Sequence, residues 1–549
     1  MFVARHLGRL DARRLFERLR ASRVTLAITF GWFIVAFATI YFAEGFRPKS
    51  FMTPDEAANR LAGALIAKTG RAVLELQFDD PEDAAHPRAW LSQGDYAIPI
   101  YPPVSVYFYA LITYLRRFGS ISLMVLPSSA LAVFAAGTAR LLPDSRRWLA
   151  VFAPALGMPA LYWLLRPWMN LCALLTCVCW AFYCWTRWRT NAGRIWLAAS
   201  MLFVGLGAAV RPDYTAYLLL VSALFTWGKK PSTWRQLLVL GVLAGALALG
   251  SNLMLNRLIT GNAFKAAYQL AMEADPVAPK HGPLVRFVKL LFFPMTFPGW
   301  SVVAAVFVKY WIRLQPLWLL SLGQLALLPL FWRRPLLERV TLAACVALFV
   351  LFMISRVDPE LFGGDRTWGY SNDSLPRYWS PIYLLAALPP LLFLGQLAER
   401  RLFIAGVCAV SLLAAGSLFQ VYWYSPQSVA KHVAIVSGDL HRLKKLENYV
   451  PLDAIIYSPS YDKMLWSRFH AGNLEDLEKA ACSMKRALDN GVPVYFFAHT
   501  AFNEEMRPFQ RRLANHGISL VMVDWGLRLY RAVARPNDAP RPAPNPAHP

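Results

Sequence analysis

Apolar runs of about 20 residues, the length that crosses a bilayer as a helix, recur between residues 24 and 422 of this 549-residue chain. No other feature restricts the fold as strongly. Inside hydrocarbon a backbone has no water to bond, so each such run must satisfy itself as a helix. The chain is therefore expected to be mainly α, a polytopic membrane protein. Composition agrees at the decisive point: 16% of the residues are charged, against roughly 25% in soluble domains.

A net charge of +24 would suit a nucleic-acid partner. The basic residues, however, lie in short segments between apolar runs, as in cytoplasmic loops that orient a membrane protein, and no nucleic-acid-binding motif accompanies them. Six basic segments stand out: 1–23, 139–148, 186–194, 228–236, 332–339 and 398–401. Placing all six in the cytoplasm requires spans near 24–43, 120–139, 148–165, 169–186, 195–211, 212–227, 235–258, 316–332, 336–354, 380–397 and 401–422. That makes eleven, in a cell (inner) membrane, with the N-terminus inside and the C-terminus outside. No small-residue cleavage site follows the run 24–43, which reads as an uncleaved first span. The run 100–117, with Pro102-Pro103 and four tyrosines, is left at the interface rather than across the membrane.

Four regions follow: a basic N-terminus (1–23), a transmembrane domain (24–424) with an outer loop (44–119), a small extracytoplasmic α/β domain (425–534) and a disordered Pro-rich tail (535–549). In the α/β region, strands are expected over 453–458, 492–499 and 518–524, and helices over 474–490 and 501–517, ending near Gly491 and Gly517. Six of the seven cysteines lie in apolar runs and Cys482 alone in polar sequence, so no disulfide framework or zinc spacing emerges.

Candidate chemistry gathers outside. Thr53-Pro54-Asp55-Glu56 fits a capping box, with Glu56 three residues after the Thr53 cap. Asp55 is about 100° further round the helix, free to face the space that the spans enclose. Arg166, Arg211 and Arg377 with Tyr378 are cations at outer turns, Arg211 also suiting a clip to Asp213. Asp79, Asp80, Glu82 and Asp83 read as a solvated loop or as substitute acids, and His86 beside them as ordinary surface. Arg286 and Lys289 fall on one face of an amphipathic interfacial helix.

The "PDEA" helix after the first span resembles the GT-C glycosyltransferases, specifically the dolichyl-phosphate-mannose protein mannosyltransferase-like superfamily. That group includes the aminoarabinose and galacturonic acid transferases of bacterial lipopolysaccharide. Three further stretches are similar in the same order: "YPPVSVYFYALITYLRRFGSISLMVLPSSALAVFAAGTARLL" (101–142), "GLGAAVRPDYTAYLLL" (205–220) and "LPRYWSPIYLLAALPPLL" (375–392). The resemblance implies a GT-C fold and an inverting transfer of sugar from a polyprenyl-phosphate donor to an acceptor hydroxyl on the extracytoplasmic face. It implies Asp55 as general base, and Glu56, Tyr101, Arg166, Arg211, Arg377 and Tyr378 as substrate-binding residues. Partners would be the lipid-linked donor, a glycolipid, polysaccharide or protein acceptor, and membrane lipids. Two departures stand out. "AIPIYPP" lacks an acidic residue and Lys before the Pro pair, and "LLRPWMN" lacks a carboxylate, so no divalent metal is assigned. A polyprenyl-linked sugar transporter or flippase, or a non-catalytic envelope assembly protein, is the alternative. A periplasmic phosphatase fused after residue 549 is expected to be active; an active cytoplasmic reporter there would invert the topology.

Overall fold

The computed structural model describes residues 12–45, 54–114, 119–190, 193–215, 231–265, 375–424, 428–498 and 503–535, apart from 460, 467 and 475, with a few positions between 218 and 270. Side chains of 12–21, 54, 119–120, 158–159, 213, 231–233, 375–379 and 503–505 are not among those described. The expected spans 316–332 and 336–354, half of 212–227, the Arg286–Lys289 helix and the tail after residue 535 lie outside the described residues.

The described chain is mainly helical. Among the described residues, five helices are long and apolar enough to cross a membrane, over Ser22–Ala43, Ile121–Leu141, Asn170–Arg189, Trp234–Thr260 and from Arg400 onward. They belong to α1 (Ala12–Ile40), α4 (Gly119–Leu141), α7 (Asn170–Arg189), α9 (Pro231–Thr260) and α12 (Arg400–Phe419). A shorter apolar helix, α8 (Arg194–Val210), packs between α7 and α9. Small residues set that approach: a Cβ on Gly205 would lie 3.0 Å from the Ala244 backbone. The outer face of α9 leaves Leu238, Val239, Val242 and Leu243 exposed, a contiguous apolar surface suited to lipid.

Two expected spans are broken. The run 148–165 forms a 3-10 segment (Asp144–Phe152), then α5 (Ala153–Leu156) and α6 (Met158–Leu164). The run 380–397 divides into α10 (Leu375–Ala386) and α11 (Leu388–Leu394). Prolines explain both, since Pro154, Pro159, Pro389 and Pro390 offer no N–H and their rings crowd the preceding turn. The start of α6 meets the end of α10, where a Cβ on Gly157 would stand 3.3 Å from Leu384 Cα.

Outside the bundle lie α2 (Pro54–Thr69), a three-stranded antiparallel sheet and α3 (Pro103–Tyr114). The strands are β1 (Leu74–Glu75), β2 (Trp90–Gln93) and β3 (Tyr96–Pro99), in the order β1-β3-β2. Twelve residues of α3 rise about 18 Å, too little to cross a bilayer. Instead α3 packs against α2, where Gly63 lets the two backbones approach.

The C-terminal region is α/β, as expected. After α13 (Val429–Leu446) come β4 (Ile455–Ser458), α14 (Asp462–Leu465), β5 (His470–Asn473), α15 (Leu477–Asp489), β6 (Val494–Phe497), α16 (Asn503–Asn515), β7 (Ile518–Asp524) and β8 (Leu529–Ala534). The sheet order is β5-β4-β6-β8-β7, parallel through β5, β4 and β6 and antiparallel at β8 and β7. Gly491 and Gly517 follow the helices at φ +74° and +71°, the left-handed geometry that ends helices.

Asp79 is exposed, as a solvated loop would have it, but Asp80 and Glu82 are taken up by partners that clamp this domain to the outer loop. Asp80 is fully buried, accepting from the Ala84 and Ala85 N–H groups at 2.7 and 2.6 Å and from Ser483 Oγ at 2.6 Å. Glu82 takes a forked pair from Arg486 at 3.1 and 2.7 Å. Arg88 returns the pattern, donating Nε and Nη2 to Asp462 at 3.0 and 2.8 Å. His86, expected at the surface, is 2% exposed. Its ring bonds Asp83 Oδ1 at 2.5 Å through Nε2 and the Pro87 carbonyl at 2.8 Å through Nδ1.

Burial pulls the His86 pKa down, but the bond to Asp83 and its charge outweigh that and raise it above the ordinary 6.5. Burial likewise pushes Asp83 up, and the His86 bond and charge with the Ser92 N–H reverse that, leaving it below 3.8. The histidine contribution is complete below pH 6.5 and fades as pH rises through its raised value. The aspartate contribution is complete above pH 3.8 and fades only below that. Protection of segment 77–88 from protease should therefore be greater near pH ~5.5 than near pH ~8, and His86→Gln should flatten the profile. Equal protection at both pH values would contradict the clamp.

Candidate functional site

Of the residues singled out in the sequence, Asp55, Glu56, Tyr101 and Arg166 come together where α2 roofs the bundle. Thr53 lies outside the described residues. Glu56 is not a solvent-facing capping group: it is 1% exposed and faces Arg166, itself 3% exposed, with Nε 3.6 Å from Oε1. A carboxylate at that depth is tolerated because a guanidinium stands opposite. Arg166 Nη2 is also 3.1 Å from His432 Nδ1 on α13, and its guanidinium lies 4.9 Å from the Tyr162 ring centre. One turn along α2, Asn59 Nδ2 donates to the Trp168 carbonyl at 3.0 Å. Tyr109 of α3 donates to the Met169 carbonyl at 2.5 Å. The turn between α6 and α7 is thus held from above by both outer helices.

Asp55 takes a different direction. It is half-buried and accepts a 2.5 Å hydrogen bond from the Tyr101 hydroxyl, just before the Pro pair. The capping helix and the Pro-Pro segment, 46 residues apart, meet at this carboxylate. Arg211 lies at the neighbouring turn, its Nη1 3.4 Å from Asn170 Oδ1 and its guanidinium 5.4 Å from the Tyr214 ring. It donates to the side chain of the first residue of α7; the side chain of Asp213 is outside those described. The Arg377 and Tyr378 side chains are likewise outside. Their backbone occupies the first turns of α10.

Sequence reasoning missed two further side chains. His432 is buried beside Arg166. Lys463 of α14 lies close enough to Glu56 to feel its charge. Burial pushes the Lys463 amine below its ordinary range and Arg88 adds to that, while Asp439, Asp462 and Glu56 pull the other way. No local pattern in "YDKMLW" marks Lys463; its position depends on α14 packing against α2, about four hundred residues away in sequence.

The arrangement can hold an anion and move a proton. A tyrosine-bound carboxylate stands beside a buried Arg–Glu–His group and a desolvated lysine, where the outer loop, the bundle and the α/β domain meet. No protein-family model matches the chain, and a search of curated proteins finds no significant match.

Arg166→Ala would leave the Glu56 carboxylate buried without its guanidinium, and is expected to destabilise the protein by about 3–5 kcal/mol. The double change with Glu56→Gln should recover part of that loss. Thermal unfolding in detergent measures both, and additive losses would show that the two side chains do not interact.

Proposed function

We propose that this chain is an integral-membrane glycosyltransferase of the GT-C kind, with about eleven spans, its working face outside the cytoplasm and its donor a sugar on polyprenyl phosphate. The observation that carries the reading is the Asp55–Tyr101 pair beside the Arg166 group. Asp55 accepts the proton of the acceptor hydroxyl as that oxygen attacks the anomeric carbon. The bond from that carbon to the phosphate oxygen breaks, its electron pair leaves with the phosphate, and the anomeric centre inverts. The Tyr101 hydroxyl holds the carboxylate in orientation before the acceptor arrives.

Positive charge must meet the departing phosphate. Arg166 supplies it from the turn before α7, Arg377 from the start of α10, and Lys463 from the α/β domain, with Asp439, Asp462 and Glu56 favouring its charged form. Arg211 and Tyr378 flank the same end of the bundle. Glu56 orients Arg166 rather than touching the sugar. The acceptor class stays at the level of its chemistry: a hydroxyl on a glycolipid, polysaccharide or protein.

Asp55→Asn should lower sugar transfer by about 10²–10⁴-fold, the usual loss with a general base, while the protein still inserts and unfolds at a similar temperature. Mass spectrometry of envelope glycoconjugates from cells with and without the variant reads this directly. Transfer near the wild-type level would remove Asp55 from the reaction. Movement of lipid-linked sugar across proteoliposomes with no transferred product would favour a transporter.

A further inference from the structure

Far from the roof, three side chains converge on the outer helices of the α/β domain. Glu478 and Cys482 are four residues apart on α15 and so share a face; His516 follows the end of α16, which packs against α15. Cys482 Sγ stands 3.9 and 3.8 Å from His516 Nδ1 and Nε2, and Nε2 is 2.8 Å from Glu478 Oε1. Among the described residues, these are the three His, Cys and carboxylate groups whose ligand atoms all lie within 4.8 Å of one another.

We propose that Glu478, Cys482 and His516 form a binding site for a divalent transition metal of the zinc class. A thiolate sulfur, an imidazole nitrogen and a carboxylate oxygen make a borderline-soft donor set, one that suits Zn²⁺ or Co²⁺ and not Mg²⁺ or Ca²⁺. Metal–ligand bonds of about 2.0–2.3 Å put donors roughly 3.3–3.8 Å apart around a tetrahedral ion. The sulfur and nitrogen already have that separation. The carboxylate–imidazole hydrogen bond must open by about half an ångström to admit the ion. The fourth position faces solvent.

Neighbouring charges do not block the site. Arg512 approaches the other Glu478 oxygen, Oε2, at 3.8 Å, and Arg486 is engaged by the Glu82 fork. Burial and the charges of Glu478, Glu82 and Asp476 hold the Cys482 thiol above its ordinary range, with Arg486 opposing. The ion therefore displaces a proton: the S–H bond breaks, sulfur binds the metal through its freed pair, and the proton passes to solvent, so affinity rises with pH. Because the ligands come from two helices, binding fastens α16 to α15.

The test uses the full-length protein in detergent, titrated with Co²⁺. The expected result is a sulfur-to-cobalt charge-transfer band with the visible bands of a four-coordinate ion, saturating at one ion per chain and reversed by Zn²⁺. Cys482→Ser should abolish the charge-transfer band, and His516→Gln should weaken binding by about tenfold or more, circular dichroism confirming that both variants fold. If either variant does not fold, Glu478→Gln with the same titration decides. No band in the wild type, a band that survives Cys482→Ser (as it would from the exposed Cys408), or unchanged affinity without His516 or Glu478 would each overturn the site.

Discussion

The carboxylate of Glu56 is 1% exposed at the roof of a helical bundle, and it is stable there because Arg166 reaches it from the turn below. Desolvating either charge alone would cost several kcal/mol, so the two must be buried together. That requirement fixes α2 over the α6–α7 turn, and through His432 it draws α13 to the same place. It also fixes Asp55. One residue back and about 100° round the helix, Asp55 can face neither Arg166 nor bulk water fully, and it meets Tyr101 instead.

A second level of packing brings the α/β domain onto this roof. Asp80, Glu82, His86 and Arg88 reach out from the outer loop, and each bonds a partner on the domain itself, His86 through its carbonyl to Asn473. Trp466, just after α14, packs against apolar clusters of the α/β domain, the outer loop and the α3–Trp168 contact together. Polar bonds and shared apolar contacts gather at one junction, which leaves little freedom for the domain to move away as a separate body. Lys463 gains its place beside Glu56 by this docking. A domain that looks like an appendage in the sequence thus reaches the charged group around Glu56.

Much of this was legible in the sequence because hydropathy reports what a bilayer demands of a backbone, and Gly491 and Gly517 ended helices for the reason their residue type suggests. What was not legible shares one physical cause: contacts between residues far apart in the chain. The local capping pattern explains Glu56 adequately, and the buried partner that overrides it is 110 residues downstream. His86 sits in a polar stretch, and only the fold closes over it. Cys482 has no cysteine or histidine at a metal-like spacing, since its neighbours come from one turn back on its own helix and from the end of another. The broken spans differ in kind. Pro154, Pro159, Pro389 and Pro390 were visible, but averaging hydropathy over a window hides what one missing N–H does. β5, "HAGN", escapes for want of β-branched residues; it forms because Gly472 lets the Tyr457 ring lie against it.

The central claim is spatial: a lipid-borne phosphate and the carboxylate of Asp55 meet beneath α2. Determining the structure of the protein in nanodiscs with a polyprenyl-phosphate sugar analogue tests it most directly. The account predicts phosphate density against Arg166 and Lys463, with the anomeric carbon facing the Asp55 carboxylate. Density at the opposite end of the bundle, beside Arg146 and the end of α11, would contradict it.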